Sequence, residues 1–388
     1  MRVLHVIDGL GGSGGAENRL VEEVLRIDRS VEQRVVRVFE YDDLDHRLRE
    51  AGIEVDALGL RSGLGSYNWP LGVWRLLATI GRFRPDVVHT SLFAANLIGQ
   101  LSARVAGVPV VSTMTLSGDP ALFAGLDTVV LSRRAAAMRT LAKWSARLSR
   151  ARWRAVTEDT KASNCRTLRI PPSRVAVISR GVDGRRFGQE PDRARFELPD
   201  GPLFVNVARH APQKGQLMLV EAFARVLDEI PGAHLAIAGK FGPLTTSIKE
   251  RAEALGIAER LHLLGFRTDS AVLLASADVF LFSSMVEGIG TAALEAVAAG
   301  LPVVAFDIAP IREVTAAHGL ATLVPPGDVG AFAAAAVAAL RLRDRAVQEG
   351  RRRQVLSDFE LGTIAGRVEA LLREVARSRA YPPWRAGP

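Results

Sequence analysis

Short runs of β-branched and aliphatic residues alternate with longer segments whose apolar positions recur every three to four residues, from one end of the chain to the other. A continuous apolar run of four to eight residues reads as a buried strand, and a 3.6-residue apolar period reads as a helix. On that basis residues 3–7, 35–39, 87–89 and 108–113 predict strands. Helices are predicted over 16–27 and 92–106. The second half repeats the pattern, with strands at 203–207, 235–238, 279–282 and 303–306, each leading through a Gly- or Ser-bearing loop into a helix. The Ala-rich stretch 331–340 reads as a packed helix. Continuous apolar strands separated by helices imply α/β architecture with parallel sheets covered on both faces. Such sheets bind ligands in the loops at the carboxyl ends of their strands. The polar stretch 184–202, with Pro191, Pro199 and Gly201, marks a boundary between two similar halves with a cleft between them.

Composition narrows the class. The chain has 388 residues, room for two domains at roughly 100–200 residues each. Hydrophobic residues at 48% and charged residues at 24% exclude a disordered chain, a collagen and a disulfide scaffold. Lys+Arg outnumber Asp+Glu by 50 to 42, a formal net charge of +8 that suits phosphate-bearing or membrane-surface partners. Cys165 is the only cysteine and cannot form an internal disulfide, which favours a reducing compartment. The opening stretch from Met1 to Asp8 turns polar too soon for a signal peptide. No window supplies the ~18–20 uninterrupted apolar residues of a spanning helix. The expectation is a cytoplasmic chain, soluble or peripheral on the inner face of the membrane, with no nucleic-acid partner.

Three loops carry candidate chemistry. Gly9-Leu-Gly11-Gly-Ser-Gly14 follows the first strand and leads into a helix, a setting in which backbone amides can approach a phosphate. A dinucleotide fold also needs an acid about 20 residues on; Glu40 lies 26 residues past Gly14. A nicotinamide site, a glycine loop facing an anion or substrate, and a plain turn all fit. In Asn206-Val-Ala-Arg209-His-Ala-Pro-Gln-Lys214-Gly215, two cations follow a buried strand where a diphosphate would lie, although loop cations are often only solvated. In Glu287-Gly-Ile-Gly-Thr-Ala-Ala-Leu-Glu295, two carboxylates bracket a loop-to-helix junction. Its glycines admit a ligand to the backbone, and its helix amides favour negative charge. Glu295 is placed to accept from two vicinal hydroxyls, or is simply a glutamate favoured at a helix start. Asp43-Leu-Asp45 matches a D-x-D metal motif, but residues i and i+2 do not face each other on a helix, and no metal is expected. His89, ending an apolar strand, reads equally as a satisfied core histidine or a catalytic one.

Five segments occur in a telling order: Gly14-Gly-Ala-Glu17, Pro85-Asp-Val-Val-His89, Arg209 with Gln213-Lys-Gly215, Glu287-Gly-x-Gly with Glu295, and Ala298-Ala-Gly-Leu-Pro-Val-Val304. Val324-Pro-Pro-Gly-Asp328 and Ile178-Ser-Arg-Gly-Val-Asp183 accompany them. This set resembles the retaining glycosyltransferases of family four, which have the GT-B fold, over about residues 1–375. The resemblance implies two Rossmann-like domains facing across a cleft. They are an acceptor-side domain (1–183) and a nucleotide-sugar domain (184–375) whose last helix returns to the first, followed by a tail (376–388). It implies transfer of a sugar from a nucleoside diphosphate sugar, a co-substrate and not a resident cofactor, to a hydroxyl on a glycan or lipid-linked acceptor.

Carried over position by position, Arg209 and Lys214 bind the donor diphosphate and stabilise it as it leaves. Glu295 holds the ribose. Glu287 with Gly288, Ile289, Gly290 and Thr291 grips the sugar and its phosphate. The loop at Gly14 and Gly15 closes on the reaction centre, and Glu17, His89, Ser91 and Thr115 lie on the acceptor side. The sequence departs from the family pattern at several of these points. Ser91 and Thr115 replace histidines common in the family, Arg180 replaces an Asn, and Ile289 stands where Phe is usual. A nucleotide-sugar epimerase or nicotinamide oxidoreductase remains a rival, as does an inactive membrane-surface binding protein of the same fold. Residues 133–154 hold eight basic residues and no acidic one. Read as one helix, they gather Arg139, Lys143, Arg147, Arg150 and Arg154 on one face and Met138, Leu141, Trp144, Leu148 and Ala151 on another, a pattern suited to an anionic membrane surface.

Overall fold

The computed structural model describes residues 1–12, 15–61, 68–116, 133–342 and 344–378, without the side chains of 133–139 and 317. Its described elements fall into two units. The first holds β1 (Arg2–Ile7), β2 (Glu32–Phe39), β3 (Glu54–Leu60), β4 (Val87–Ser91), β5 (Val110–Met114), β6 (Arg152–Ala155) and β7 (Val175–Val177), together with the helix Leu361–Arg377. The second, Val182–Glu360, holds β8 (Leu203–Val207), β9 (His234–Ala238), β10 (Leu261–Gly265), β11 (Val279–Phe282), β12 (Val303–Phe306) and β13 (Thr322–Val324).

The strand orders are β3-β2-β1-β4-β5-β6-β7 and β10-β9-β8-β11-β12-β13. All the pairings are parallel. Each sheet is Rossmann-like: the chain enters at the middle, winds to one edge, then crosses back and winds to the other. The β1/β4 and β8/β11 neighbours are therefore the topological switch points, where doubly wound sheets take their ligands.

Alternation along each strand gives each sheet two apolar faces. Leu4 and Val6 cluster with Leu76, Ile80 and Ile98 from the helices Trp69–Phe83 and Phe93–Ala106. Val3, Val87 and Val111 cluster with Ile364, Val368, Leu371, Leu372 and Val375 of the helix Leu361–Arg377. In the second unit Phe204, Leu235, Val279 and Val304 pack with Leu219, Phe223, Phe332 and Val337 from the helices Gln216–Glu229 and Val329–Arg341.

The single helix expected over 133–154 is corrected. Helix Arg133–Leu148 ends, Arg150 adopts φ 49°, and Arg152–Ala155 enters the sheet as β6. Arg154 leaves the supposed basic face because it is buried: its guanidinium donates to both Glu23 carboxylate oxygens at 2.7 and 2.8 Å and to the Ile178 carbonyl at 2.9 Å. Of the expected apolar stripe, Trp144 and Leu148 are exposed, while Ala151 is buried beyond the helix end. The side chains of Met138 and Arg139 lie outside the described residues.

Candidate active site

The switch point of the second unit brings two distant motifs together. After β8, Pro212 opens a 3-10 turn through Lys214, and Gly215 at φ 64° starts the helix Gln216–Glu229. Only glycine fits there, because a Cβ would collide with the Ser283 carbonyl oxygen. Buried Gln216 staples this loop. Its Nε2 donates to the Ala208 and Arg209 carbonyls at 3.2 and 3.0 Å, and its Oε1 accepts from the Ala211 amide at 3.3 Å. Arg209 is thus presented from a fixed backbone with its own side chain exposed.

The loop after β11 is tied to the same turn. Ser283 Oγ donates to the Lys214 carbonyl at 2.8 Å, and the Met285 amide donates to the Gln213 carbonyl at 2.9 Å. These bonds set Lys214 Nζ against Glu287 Oε1 at 2.5 Å, with side chains 19% and 13% exposed. Gly288 and Ile289, which follow Glu287, are buried. Gly290, at φ 75°, is the N-cap of the helix Thr291–Ala298 and offers it no side-chain cap. The Ala293 amide donates to the Gly290 carbonyl at 3.0 Å, so the amides of Thr291 and Ala292 and the partial positive charge of the helix start are what this junction offers an anion. Thr291 and Glu295 are both half-buried, Glu295 one turn into this helix. Lys214, Glu287 and the helix start thus form one cluster, with Arg209 on the loop that carries Lys214. The arrangement can hold a diphosphate and stabilise charge gathering on it.

In the first unit the corresponding edge is built around Asp8, which the sequence reading passed over. Its Oδ1 accepts from the Ala95 amide at 2.7 Å, at the start of the helix Phe93–Ala106, beside Leu92 at φ 77°. Burial pushes its carboxyl up to about 7 despite amide bonds from Ala95 and Ala94, and Glu17 adds to the rise. The legible signal was an acid placed between an apolar strand and a glycine loop. That loop is fixed by Asn18 Nδ2, which donates to the Gly12 carbonyl at 2.6 Å, and by the Gly12 amide, which donates to Asp43 Oδ2 at 3.0 Å.

Asp45 is buried and pairs with Arg37 Nε at 3.2 Å and Arg49 Nη2 at 3.5 Å. The D-x-D motif thus serves the loop and the Arg37 guanidinium. Among the described residues no group of three or more His, Cys, Asp or Glu side chains is placed to hold a metal ion.

His89 belongs to the core. It is 1% exposed, its Nδ1 lies 3.0 Å from His5 Nδ1, and its Nε2 lies 3.0 Å from Thr113 Oγ1. Burial, with His5 beside it, holds its ring well below the usual histidine range. Ser91 is buried at the end of β4, and Thr115 is half-buried just past β5. Glu17 is half-buried and Gly15 exposed at the start of the helix Gly15–Val24. Gly14 lies outside the described residues. Arg180 is fully buried near Glu23, and desolvation draws its guanidinium down to about 10.

Residues 13–186 match the family described as Glycosyltransferase Family 4, and residues 188–353 match Glycosyl transferases group 1. The 2-deoxystreptamine N-acetyl-D-glucosaminyltransferase of Streptomyces fradiae is 31% identical over 357 residues, covering 85% of this chain and 82% of that protein. The chain therefore belongs to the family 4 glycosyltransferases, which are GT-B in fold. The UDP-Gal:alpha-D-GlcNAc-diphosphoundecaprenol alpha-1,3-galactosyltransferase of Escherichia coli is 29% identical over 235 residues, and the match spans 58% of each chain. Anabaena HepE (Alr3699), solved in complex with UDP, shares the fold at a TM-score of 0.80 and 20% identity, over 96% of this chain and 100% of that one.

Proposed function

We propose that the protein transfers a sugar from a nucleoside diphosphate sugar to a hydroxyl acceptor with retention of anomeric configuration. The observation that carries this reading is the Lys214–Glu287 pair at 2.5 Å, seated at the β8/β11 switch point beside a helix start without a side-chain cap. Arg209, Lys214 and the helix amides receive the diphosphate. Glu295 accepts from the ribose hydroxyls, and Glu287 both orients Lys214 and contacts the sugar. As the bond between the anomeric carbon and the phosphate oxygen breaks, the electron pair leaves with the diphosphate, and these fixed charges stabilise it. The acceptor oxygen bonds to the same face of the sugar, and its proton passes to the departing phosphate oxygen. Loop cations supply the charge that a metal would otherwise bring, and no resident cofactor takes part.

The acceptor is assigned to the loop edge of the first unit, at Asp8, Glu17, Ser91 and Thr115. Retention is read from the product: an α-linked donor gives an α-linked product by NMR coupling constants, and a β-linked product contradicts the reading.

A lipid-linked acceptor at an anionic membrane surface is the finer form of this reading. It is supported by Trp144 and Leu148, 55% and 56% exposed at the end of the helix Arg133–Leu148, with Lys143 and Arg147 beside them. The lipid-linked acceptor named for the Escherichia coli relative supports it as well. Among the described residues no helix is long and apolar enough to cross a membrane. Basic residues near an anionic surface contribute roughly 1 kcal/mol each. The protein should therefore sediment with anionic but not neutral vesicles at low salt, and Lys143→Glu with Arg147→Glu should abolish this. Indifference of the wild type to anionic vesicles contradicts it.

A further inference from the structure

Buried charges of the first unit gather in one place: Arg19, Glu22 and Glu23 on the helix Gly15–Val24, Arg154 on β6, and Arg180 in the segment after β7. Four of these are matched. Arg19 pairs with Glu22, and the Arg154 guanidinium donates to both Glu23 oxygens at 2.7 and 2.8 Å. Arg180 is left over. It is 5% exposed, yet no described residue accepts a hydrogen bond from its guanidinium. Glu23, Arg154, Arg19 and, more weakly, Glu17 act on it through their charge alone.

The backbone that carries Arg180 is clamped on both sides. Arg154 also donates to the carbonyls of Ile178 and Ser179, the two residues before it. On the other side Gly181 is pressed against Leu361, whose Cα would lie 2.5 Å from a Cβ there. From the carboxyl end of β7 the arginine reaches back over the sheet, since its charge acts on His89 of β4. Ser91, two residues on, faces the same way as His89. Nor is the guanidinium sealed in. The enclosed side-chain atoms that lack a partner include nitrogens of Arg34, Arg152 and Arg352 but none of Arg180, so its unpartnered N–H groups are open to a ligand.

A buried cation without a partner is costly, and such a group in a native fold calls for something that completes it. We infer that Arg180 is the seat of an oxyanion carried by the acceptor, a phosphate or a carboxylate. Its planar fork holds either one through two parallel hydrogen bonds. The assignment rests on the acceptor reading above and adds to it the class of acceptor, an anionic one. The neutral Asn of the family pattern brings no such charge, so the preference belongs to this chain.

The test is isothermal titration of glucose 1-phosphate, glucuronate and glucose into wild type, Arg180→Gln, Arg180→Lys and Arg209→Ala, with UDP titrated into the same four proteins. Wild type should bind at least one of the two anions and prefer it to glucose, and the anion preferred names the group. Arg180→Gln should weaken that anion about 10- to 100-fold and leave UDP unchanged. Arg180→Lys keeps the charge without the fork and should lose part of the affinity; it carries the test if the Gln variant does not fold. Wild-type anion affinity in the Arg180 variants overturns the inference, as does a wild type that binds neither anion. If Arg209→Ala loses the anion while the Arg180 variants keep it, the anion sits on the donor loop and the inference falls. If Arg209→Ala binds UDP like the wild type while the Arg180 variants alone lose the anion, the donor assignment fails and the oxyanion seat stands.

Discussion

At the scale of single residues, the groups that most needed the fold to be seen are buried charges. Glu23 and Arg154 are 131 residues apart, so no local pattern could announce their pair. Breaking such a pair by removing one partner costs about 3–5 kcal/mol, because the other charge stays buried. Asp8 leads to a pH prediction. Its folded pKa, about 7, lies above the 3.8 of an ordinary aspartate, so the folded state holds a proton that the unfolded chain has released. The stability this contributes is fully present below about pH 4 and lost as pH rises through about 7. Asp8→Asn keeps an acceptor for the Ala95 amide and removes the titration. The melting temperature of the variant should therefore gain on the wild type between pH 5 and pH 8. A constant gap across that range contradicts the buried-acid account. His5 works in the opposite direction: burial lowers it to about 4, so its contribution is present above pH 6.5 and lost on acidification. Both proteins share that term.

At the scale of elements, the central strands were legible because they are buried on both faces and read as unbroken apolar runs. β1, β2, β4, β5, β8, β9, β11 and β12 all appear where the sequence places strands, with small shifts at their ends. The strands it left out are β3, β6, β7, β10 and β13. Four of these, β3, β7, β10 and β13, are the edge strands, where partial exposure interrupts the apolar run: β3 mixes exposed, half-buried and buried positions and β10 is half-buried throughout. β6 was hidden differently. Its sequence Arg-Trp-Arg-Ala continues the basic period of the preceding helix, and only the distant Glu23 explains an arginine inside a sheet. The helix start at Gly290 can be tested directly. Gly290→Ala would put a side chain at φ 75° and into hard overlap with Ile311 Cδ1. It should destabilise the second unit by about 1–3 kcal/mol. Gly350→Ala, inside the helix Arg345–Asp358 with open space around it, should be neutral or slightly stabilising. Chemical denaturation compares the two, and equal effects would remove the special role of Gly290.

At the scale of the whole molecule, two doubly wound units each place their candidate chemistry at a switch point, β1/β4 in one and β8/β11 in the other. The sequence could name Arg209, Lys214, Glu287 and Glu295 one motif at a time. It could not show that parallel pairing of β8 with β11 sets Lys214 against Glu287 across 73 residues. Nor could it show that buried Gln216 fixes the loop bearing Arg209, since a glutamine at a helix start has no distinctive pattern. The central claim is that these loop cations stabilise a departing diphosphate. It is tested most directly by kcat/KM for UDP-glucose, UDP-N-acetylglucosamine and GDP-mannose, read as released nucleoside diphosphate, in wild type and Arg209→Ala. A charge-assisted hydrogen bond contributes roughly 1.5–3 kcal/mol, so the variant should lose about 10- to 100-fold in kcat/KM while melting like the wild type. Wild-type kcat/KM in a folded Arg209→Ala protein would contradict the account.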